Sequence, residues 1–502
     1  MVQDKITIKK YNEVYIKIYA ENYLLKELSD YFTFWVPNFQ FSPAFKQKLW
    51  DGKIRLLDLR TNLIYYGVLP YIEKFVKDRN YELEYIDPRP DVAEEFPLVL
   101  AKKFIEELNI HSAGEKINVR SDQIEAFISA MRDKRKLLLS PTASGKSLII
   151  YMIVMQLLKY KNYRGLIIVP RISLVHQLKT DFADYAEFID FNVDEHVHTI
   201  SEGSEKHSEK PIIISTFQSI YKLDKNYFEK FDYIIGDEAH LFTAQALKYI
   251  AESCINAKYR IGLTGSLDGT KTHKLVLEGL FGSIKQVIST KELMDKKSLA
   301  ELEIKCLILK HKEENCKLLK GCEYKDEIEY LISNEQRNRF IKNLTLSLDK
   351  NTMILYDRVE KHGKILYDLI KNSKNLKNRE VYFVYSKTTA EQREFIRKRF
   401  EEKDDIIVIA SYGTFSTGVN SKSLHYLIFA SPSKSRIRNL QSIGRSLRIS
   451  KTKSKAVLYD IADDLRIGHT MNHTLKHFVK RTKIYDSEKH VYKLYKIGLD
   501  ND

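Results

Sequence analysis

The stretch Leu137–Ser147, LLLSPTASGKS, sets an apolar run directly before a turn-rich segment ending in Gly145-Lys146-Ser147. Behind it comes LIIYMIVMQLLKY (148–160), apolar and of helical length. A strand, a loop closing on Gly-Lys-Ser and a helix together form a phosphate cradle. Backbone N–H groups and the helix N-terminus face the anion, and the lysine adds a point charge. Such loops usually begin with glycine, whereas this one begins with Ser140 and carries Ala143 where glycine is common. The expectation is a nucleotide site in which Thr142, Ala143, Ser144, Gly145 and Lys146 wrap phosphates. Lys146 would meet the β and γ oxygens, and the Ser147 hydroxyl would ligate Mg²⁺.

Outward from the loop, short apolar runs alternate with amphipathic helical stretches. KLLLS (136–140), GLIIVP (165–170), PIIIS (211–215), FDYIIGDE (231–238) and YRIGLTG (259–265) form one series. EIKCLILK (303–310), NTMILYD (351–357), VYFVYS (381–386), DIIVIAS (405–411) and LHYLIFAS (424–431) form a second. Near-continuous Ile/Leu/Val runs separated by helices predict buried parallel strands, hence two tandem doubly wound α/β lobes. Before them, EVYIKIYA (13–20), YLLKELSDYF (23–32), two strands in KIRLLDLRTNLIYYGVL (53–69) around a Thr-Asn turn, YIEKFVKDR and YELEYI predict a small α+β unit. DPRPD (87–91) closes that unit, since paired prolines end regular structure. The boundaries expected are 1–90, 91–295 for the first lobe, 296–462 for the second, and a basic, mostly helical segment over 463–502.

FDYIIGDEAH puts Asp237 and Glu238 at the carboxyl end of a predicted buried strand, where open α/β sheets bind ligands. Asp237 can hold Mg²⁺, commonly through water, and Glu238 can accept a proton from an attacking water. Adjacent acids alone often mark a solvated corner; beside the phosphate loop they form a hydrolytic pair.

Gly-Lys-Ser, then Asp-Glu-Ala-His (237–240), LTGSL (263–267) and QSIGRSLR (441–448), in this order, resemble the motif series of superfamily-two helicases of the Asp-Glu-Ala-His type. The resemblance implies RecA-like lobes and ATP with Mg²⁺ as cofactors. Arg120 and Gln123 resemble the adenine-recognising motif. Pro170 and Arg171, with Thr216 and Gln218, resemble contact loops for nucleic-acid phosphates. His240, Thr264 and Ser266 resemble the elements that link hydrolysis to lobe movement. Gly418, in ASYGTFSTGVN (410–420), resembles a segment touching strand and nucleotide, although its Gly-Val-Asn ending departs from the commoner Gly-hydrophobic-Asp. Gln441 and Arg445 share a helix face, with Arg448 one turn on, and the resemblance makes the two arginines fingers on the γ-phosphate.

FKQKLWDGKIRLLD (45–58), ASYGTFSTG and the chain length resemble the UvsW-type recombination helicases of tailed phages. That family implies an ATP-dependent DNA helicase acting on forks, Holliday junctions and R-loops, in a host cytoplasm, with single-strand-binding or recombination proteins as possible partners. Lys46, Lys48, Lys53 and Arg55 flank Trp50 and Gly52, a phosphate-contact surface if the indole packs inward. The alternatives are an RNA helicase, which shares Asp-Glu-Ala-His, and a binding protein with a dead ATPase core. The intact Lys146, Glu238, Arg445 and Arg448 argue against the latter. A restriction-enzyme motor lacks a nuclease motif.

Composition agrees with this class. The 502 residues exceed a single core, and 82 Lys plus Arg against 67 Asp plus Glu give +15, which favours a polyanion while also suiting a Lys-rich composition. Cys254, Cys306, Cys316 and Cys322 show no metal or disulfide spacing and fit a reducing compartment. The opening MVQDKITIKKYNEV has no apolar signal core, and no apolar run reaches the roughly 18 residues of a membrane span.

Overall fold

The computed structural model describes residues 4–36, 39–87, 93–141, 144–201, 203–267, 270–415, 423–431, 443–444 and 455–499. The chain forms two compact units, residues 1–140 with 145–288, and 289–502 with 141–144. Each is built on a seven-stranded sheet whose described pairings are all parallel.

In the first unit the strand order is Val197–Ile200, Ile212–Thr216, Gly165–Val169, Tyr233–Asp237, Tyr259–Thr264, Arg135–Leu139 and Ile284–Gln286. The five runs read from the sequence are the five central strands; the outer two, VHTI and IKQ, are too short to stand out. Helices Ser121–Asp133, Lys146–Lys161 and Ile172–Tyr185 share one apolar core with a face of this sheet. The helix behind the phosphate loop is apolar all round and buried along most of its length, which is why its sequence shows no polar stripe.

The other core of this unit continues into residues 4–87. A four-stranded sheet, ordered Leu63–Tyr65, Tyr15–Tyr19, Lys5–Lys10, Glu82–Tyr85, shares it with Leu137, Ile234, Phe242 and Phe281. Gly67 lies where an added Cβ would be 2.0 Å from the Glu278 carbonyl, so only glycine permits this approach. Tyr71 Oη donates to Glu278 at 2.7 Å, Tyr65 donates to Glu252, and buried Arg135 pairs with Glu13 beneath the Tyr66 ring. The two strands expected around the Thr-Asn turn enter different sheets: Lys53–Arg55 pairs with Thr33–Trp35 as a separate ribbon, and Leu63–Tyr65 with Tyr15–Tyr19. Fully buried Arg260 donates to the carbonyls of Ala251, Cys254 and Leu280, satisfying orphan carbonyls at two helix ends.

In the second unit the order is Val381–Val384, Ile407–Ser411, Thr352–Tyr356, Tyr426–Phe429, Lys455–Asp464, Glu301–Lys310 and Tyr492–Gly498. The helical expectation for the C-terminal segment holds for His473–Ser487 and is corrected for Tyr492–Gly498, which pairs in parallel with Ile304–Lys310. The alternation in YKLYK is strand-like, and an edge place in the sheet satisfies it. Buried Arg481 on that helix grips Asp460 of the neighbouring strand at 2.7–3.0 Å, so the helix is part of the lobe. No described helix is long and apolar enough to cross a membrane.

Candidate active site

The phosphate loop leaves the sheet at Leu139. The Ser140 N–H donates to the Thr264 carbonyl at 2.8 Å, which ties the loop's first residue to the adjacent strand. Ser140 is fully buried and holds the place that glycine commonly takes. Ser144 Oγ donates to the Pro141 carbonyl at 2.7 Å. Gly145, at φ +82°, caps the helix Lys146–Lys161, and an added Cβ would fall 2.3 Å from Gln123 Nε2. Both the left-handed backbone and the contact demand glycine there. Thr142 and Ala143 lie outside the described residues.

Gln123 is brought to the loop by a capping box: its Oε1 accepts from the Arg120 N–H at 3.0 Å, while its amide nitrogen abuts Gly145. The Arg120 guanidinium is clasped by Asp122 at 3.0–3.3 Å. The residues resembling an adenine motif thus border the phosphate loop.

Asp237 ends the strand Tyr233–Asp237, and Glu238 follows in a left-handed conformation, φ 51°, that turns its side chain toward the loop. Its Oε1 lies 3.5 Å from Lys146 Nζ and its Oε2 3.3 Å from His240 Nδ1. His240 Nδ1 is also 2.9 Å from Thr264 Oγ1, whose hydroxyl donates to the Ser266 carbonyl at 3.0 Å. Because Thr264 spends its hydrogen on Ser266, the His240 Nδ1 carries one and donates it to Thr264 Oγ1, with Glu238 Oε2 close by. A continuous polar chain therefore runs from Lys146 through Glu238 and His240 to Thr264.

Electrostatics separate the two acids. Burial raises Asp237, and the Glu238 charge adds to that against the pull of Lys146. Burial would raise Glu238 too, but the Lys146 cation and the adjacent His240 imidazole overcome it and hold Glu238 below the usual range. Glu238 is thereby kept as carboxylate, the form a general base requires.

Ser147 Oγ meets Tyr185 Oη at 2.9 Å, a partner from the end of the helix Ile172–Tyr185. Nothing in the linear sequence marked Tyr185; only the packing of this helix on the loop helix reveals it. Pro170 and Arg171 follow Gly165–Val169; Thr216 ends the adjacent strand, whose register pairs Val169 with Thr216, and Gln218 lies in the short helix Phe217–Ile220 that follows. The two loops therefore lie side by side. Gln218 is exposed, whereas Thr216 is buried with its hydroxyl 2.9 Å from Ser219. Lys53 and Arg55 stand on the separate ribbon, Lys53 Nζ 4.7 Å from the Trp35 ring centre and Arg55 paired with Asp51. Trp50 is half-buried and donates to the Lys53 carbonyl at 2.8 Å, so the indole braces the ribbon. Gly418, Gln441, Arg445 and Arg448 lie outside the described residues.

Residues 4–87 match the family model for the N-terminal part of DNA helicase UvsW, 116–268 that for the res subunit of type III restriction enzymes, and 335–450 that for the helicase conserved C-terminal domain. The ATP-dependent DNA helicase uvsW of Enterobacteria phage T4 is 32% identical over 500 residues, 97% of this chain and 98% of that protein. The chain belongs to the UvsW family of ATP-dependent DNA helicases. The crystal structure of T4 UvsW superposes with a TM-score of 0.52 at 30% identity, covering 99% of this chain and 100% of that one. A more distant relative of this UvsW-family chain, the DNA 3'-5' translocase XPB2 of Sulfurisphaera tokodaii, is 24% identical over 420 residues, 77% of this chain and 89% of its own.

Proposed function

We propose that this protein spends ATP to remodel branched DNA (forks, Holliday junctions and R-loops) in recombination, repair and replication. The observation that carries the reading is the polar chain Lys146–Glu238–His240–Thr264 at the mouth of the phosphate loop. Bound phosphates would draw Lys146 away from Glu238. That movement would leave the Glu238 carboxylate free to accept a proton from a water within reach. His240, beside Glu238 and bonded to Thr264, would link the base to the start of the segment resembling the coupling motif.

Ser147 and Asp237 are the residues that would hold Mg²⁺, which neutralises charge on the β and γ oxygens when bound. The described residues offer no cluster of three or more acids, histidines or cysteines able to hold a metal. One hydroxyl and one carboxylate suit an ion that keeps several waters and takes the rest of its ligands from phosphates. Arg445 and Arg448, with Gln441, are the finger candidates on the strength of the resemblance alone.

The branched-DNA part of the reading draws on residues 4–87. Lys53 and exposed Arg55 stand on a braced ribbon, and exposed Lys46 and Lys48 on the short helix Pro43–Lys46 and the turn after it, all carried by a layer that shares the first lobe's core. Hydrolysis measured with single-stranded, forked and four-way DNA, beside matched RNA, tests it. Forks and four-way junctions should stimulate and be resolved best; equal turnover on RNA, or indifference to branching, would refute it.

A further inference from the structure

Outside the motifs, the second unit encloses a cavity of about 340 Å³. It lies where the strands Thr352–Tyr356 and Tyr426–Phe429 end and the helix Tyr324–Ser333 packs over them. The size falls at the lower end of small-ligand pockets, about 300–1,000 Å³, which is room for one nucleotide unit and not for a strand.

Its lining is of three kinds. The Tyr324 ring, 42% exposed, forms one wall and Ile328 and Ile332 supply apolar surface one and two turns along the same helix. Lys325 and Arg358 bring two cations, neither with an ion-pair partner among the described residues. Asp357 and Ser431 give the polar end; Ser431 Oγ accepts from the Asp357 N–H at 3.2 Å and lies 3.0 Å from His362 Nδ1.

The aromatic wall is fixed in advance. Tyr324 packs against His477 and His473, with ring centres 5.1 and 6.1 Å away. These histidines belong to the helix His473–Ser487, and buried Glu327, one turn from Tyr324, caps that helix by accepting from the N–H groups of His473 and Thr474 at 2.8 and 2.7 Å. A carboxylate on a helix N-terminus is stabilised by the dipole as well as by the hydrogen bonds. The two helices are thus joined through Glu327, and the half-exposed ring is held against the cavity at little entropic cost.

A preset aromatic face, an apolar flank and two cations match a planar base with its phosphate, the pairing that single-strand-binding surfaces use. We propose that this cavity takes one unstacked nucleobase of bound DNA, its ring on Tyr324 and its phosphate between Lys325 and Arg358. Asp357 would accept from an exocyclic amine. The proposal rests on the DNA reading above for its ligand, and a free nucleotide offers the same chemistry.

Irradiation of the full chain with iodouracil-substituted single-stranded DNA, followed by peptide mapping, tests it. The adduct should fall on the segment containing Tyr324. Tyr324→Ala should abolish it and weaken single-strand affinity about tenfold, as loss of one base–aromatic stack does, while Tyr324→Phe retains both. Melting curves of the two variants report whether each is folded. Undiminished affinity in folded Tyr324→Ala, or adducts confined to other segments, would overturn the proposal. Labelling of the Tyr324 segment by an azidoadenine nucleotide but not by DNA would overturn its assignment to the strand. Failure to resolve junctions, with the Tyr324 adduct intact, would count against the remodelling function alone.

Discussion

Lys146 holds Glu238 ionised from 3.5 Å away, and it is also the proposed contact for the phosphates. Lys146→Ala should therefore abolish hydrolysis, measured as phosphate release by the purified variant at saturating ATP and DNA. Glu238→Gln is expected to bind ATP normally while turnover falls by about 10²–10⁴, because an amide cannot take the water's proton. Equilibrium nucleotide binding beside single-turnover hydrolysis separates the two effects, and a parallel loss of affinity would show Glu238 to be a binding residue. A third residue contributes to pH dependence. Burial lowers His490 to about 4, and neither ring nitrogen has a hydrogen-bond partner among the described residues. An unfolded chain binds that proton from about pH 6.5, so it holds more protons than the folded one between the two values. Stability from this residue is complete above about 6.5 and declines as pH falls toward 4, by up to about 1.4 kcal/mol per pH unit. His490→Leu should flatten the fall in melting temperature over that window relative to the parent protein.

Among elements, the decisive contact lies between the segment 66–68 and the helix Lys271–Phe281. Gly67 sits against the Glu278 and Gly279 carbonyls, and a methyl group there has no space. Gly67→Ala should cost about 1–3 kcal/mol through overpacking and make residues 4–87 more susceptible to limited proteolysis while the sheet behind stays protected. Equal stability of variant and parent would mean that the layer yields easily. The same packing bears on truncation. Removing 4–87 strips the partners of Leu275, Val276 and Leu280 from a shared core, so a shortened chain suffers from exposed apolar surface before any loss of DNA contact is felt.

For the whole molecule, the formal charge of +15 is expected to express itself as backbone affinity with little sequence preference. Binding should fall by about 0.9 log units per phosphate contact for each tenfold rise in salt. Charge reversal at Lys46, Lys48, Lys53 and Arg55 should lower that slope by up to about 4 and weaken fork binding more than single-strand binding, leaving the circular dichroism spectrum unchanged. A titration of affinity against salt for both DNA forms measures this. An unaltered slope would remove the ribbon from the DNA-contact surface.

The two-lobe α/β plan and ten of its fourteen sheet strands were legible in the sequence, as were the candidate residues of a nucleotide site. These signals are local: buried parallel strands read as unbroken apolar runs, and a phosphate loop needs its glycine, lysine and hydroxyl adjacent in the chain. Tertiary structure alone decided the rest. The strand Lys455–Asp464 escapes a hydrophobicity reading because its second half is DIADD, yet Asp460 and Asp463 are fully buried. Arg481 and Arg337 neutralise them from 21 and 126 residues away, a compensation that no local pattern contains. Tyr185 on Ser147, Gln123 against Gly145 and the Tyr324 cavity are of the same kind. Each joins residues whose proximity is set by how helices pack on a sheet, and packing depends on the whole chain and not on any window of it.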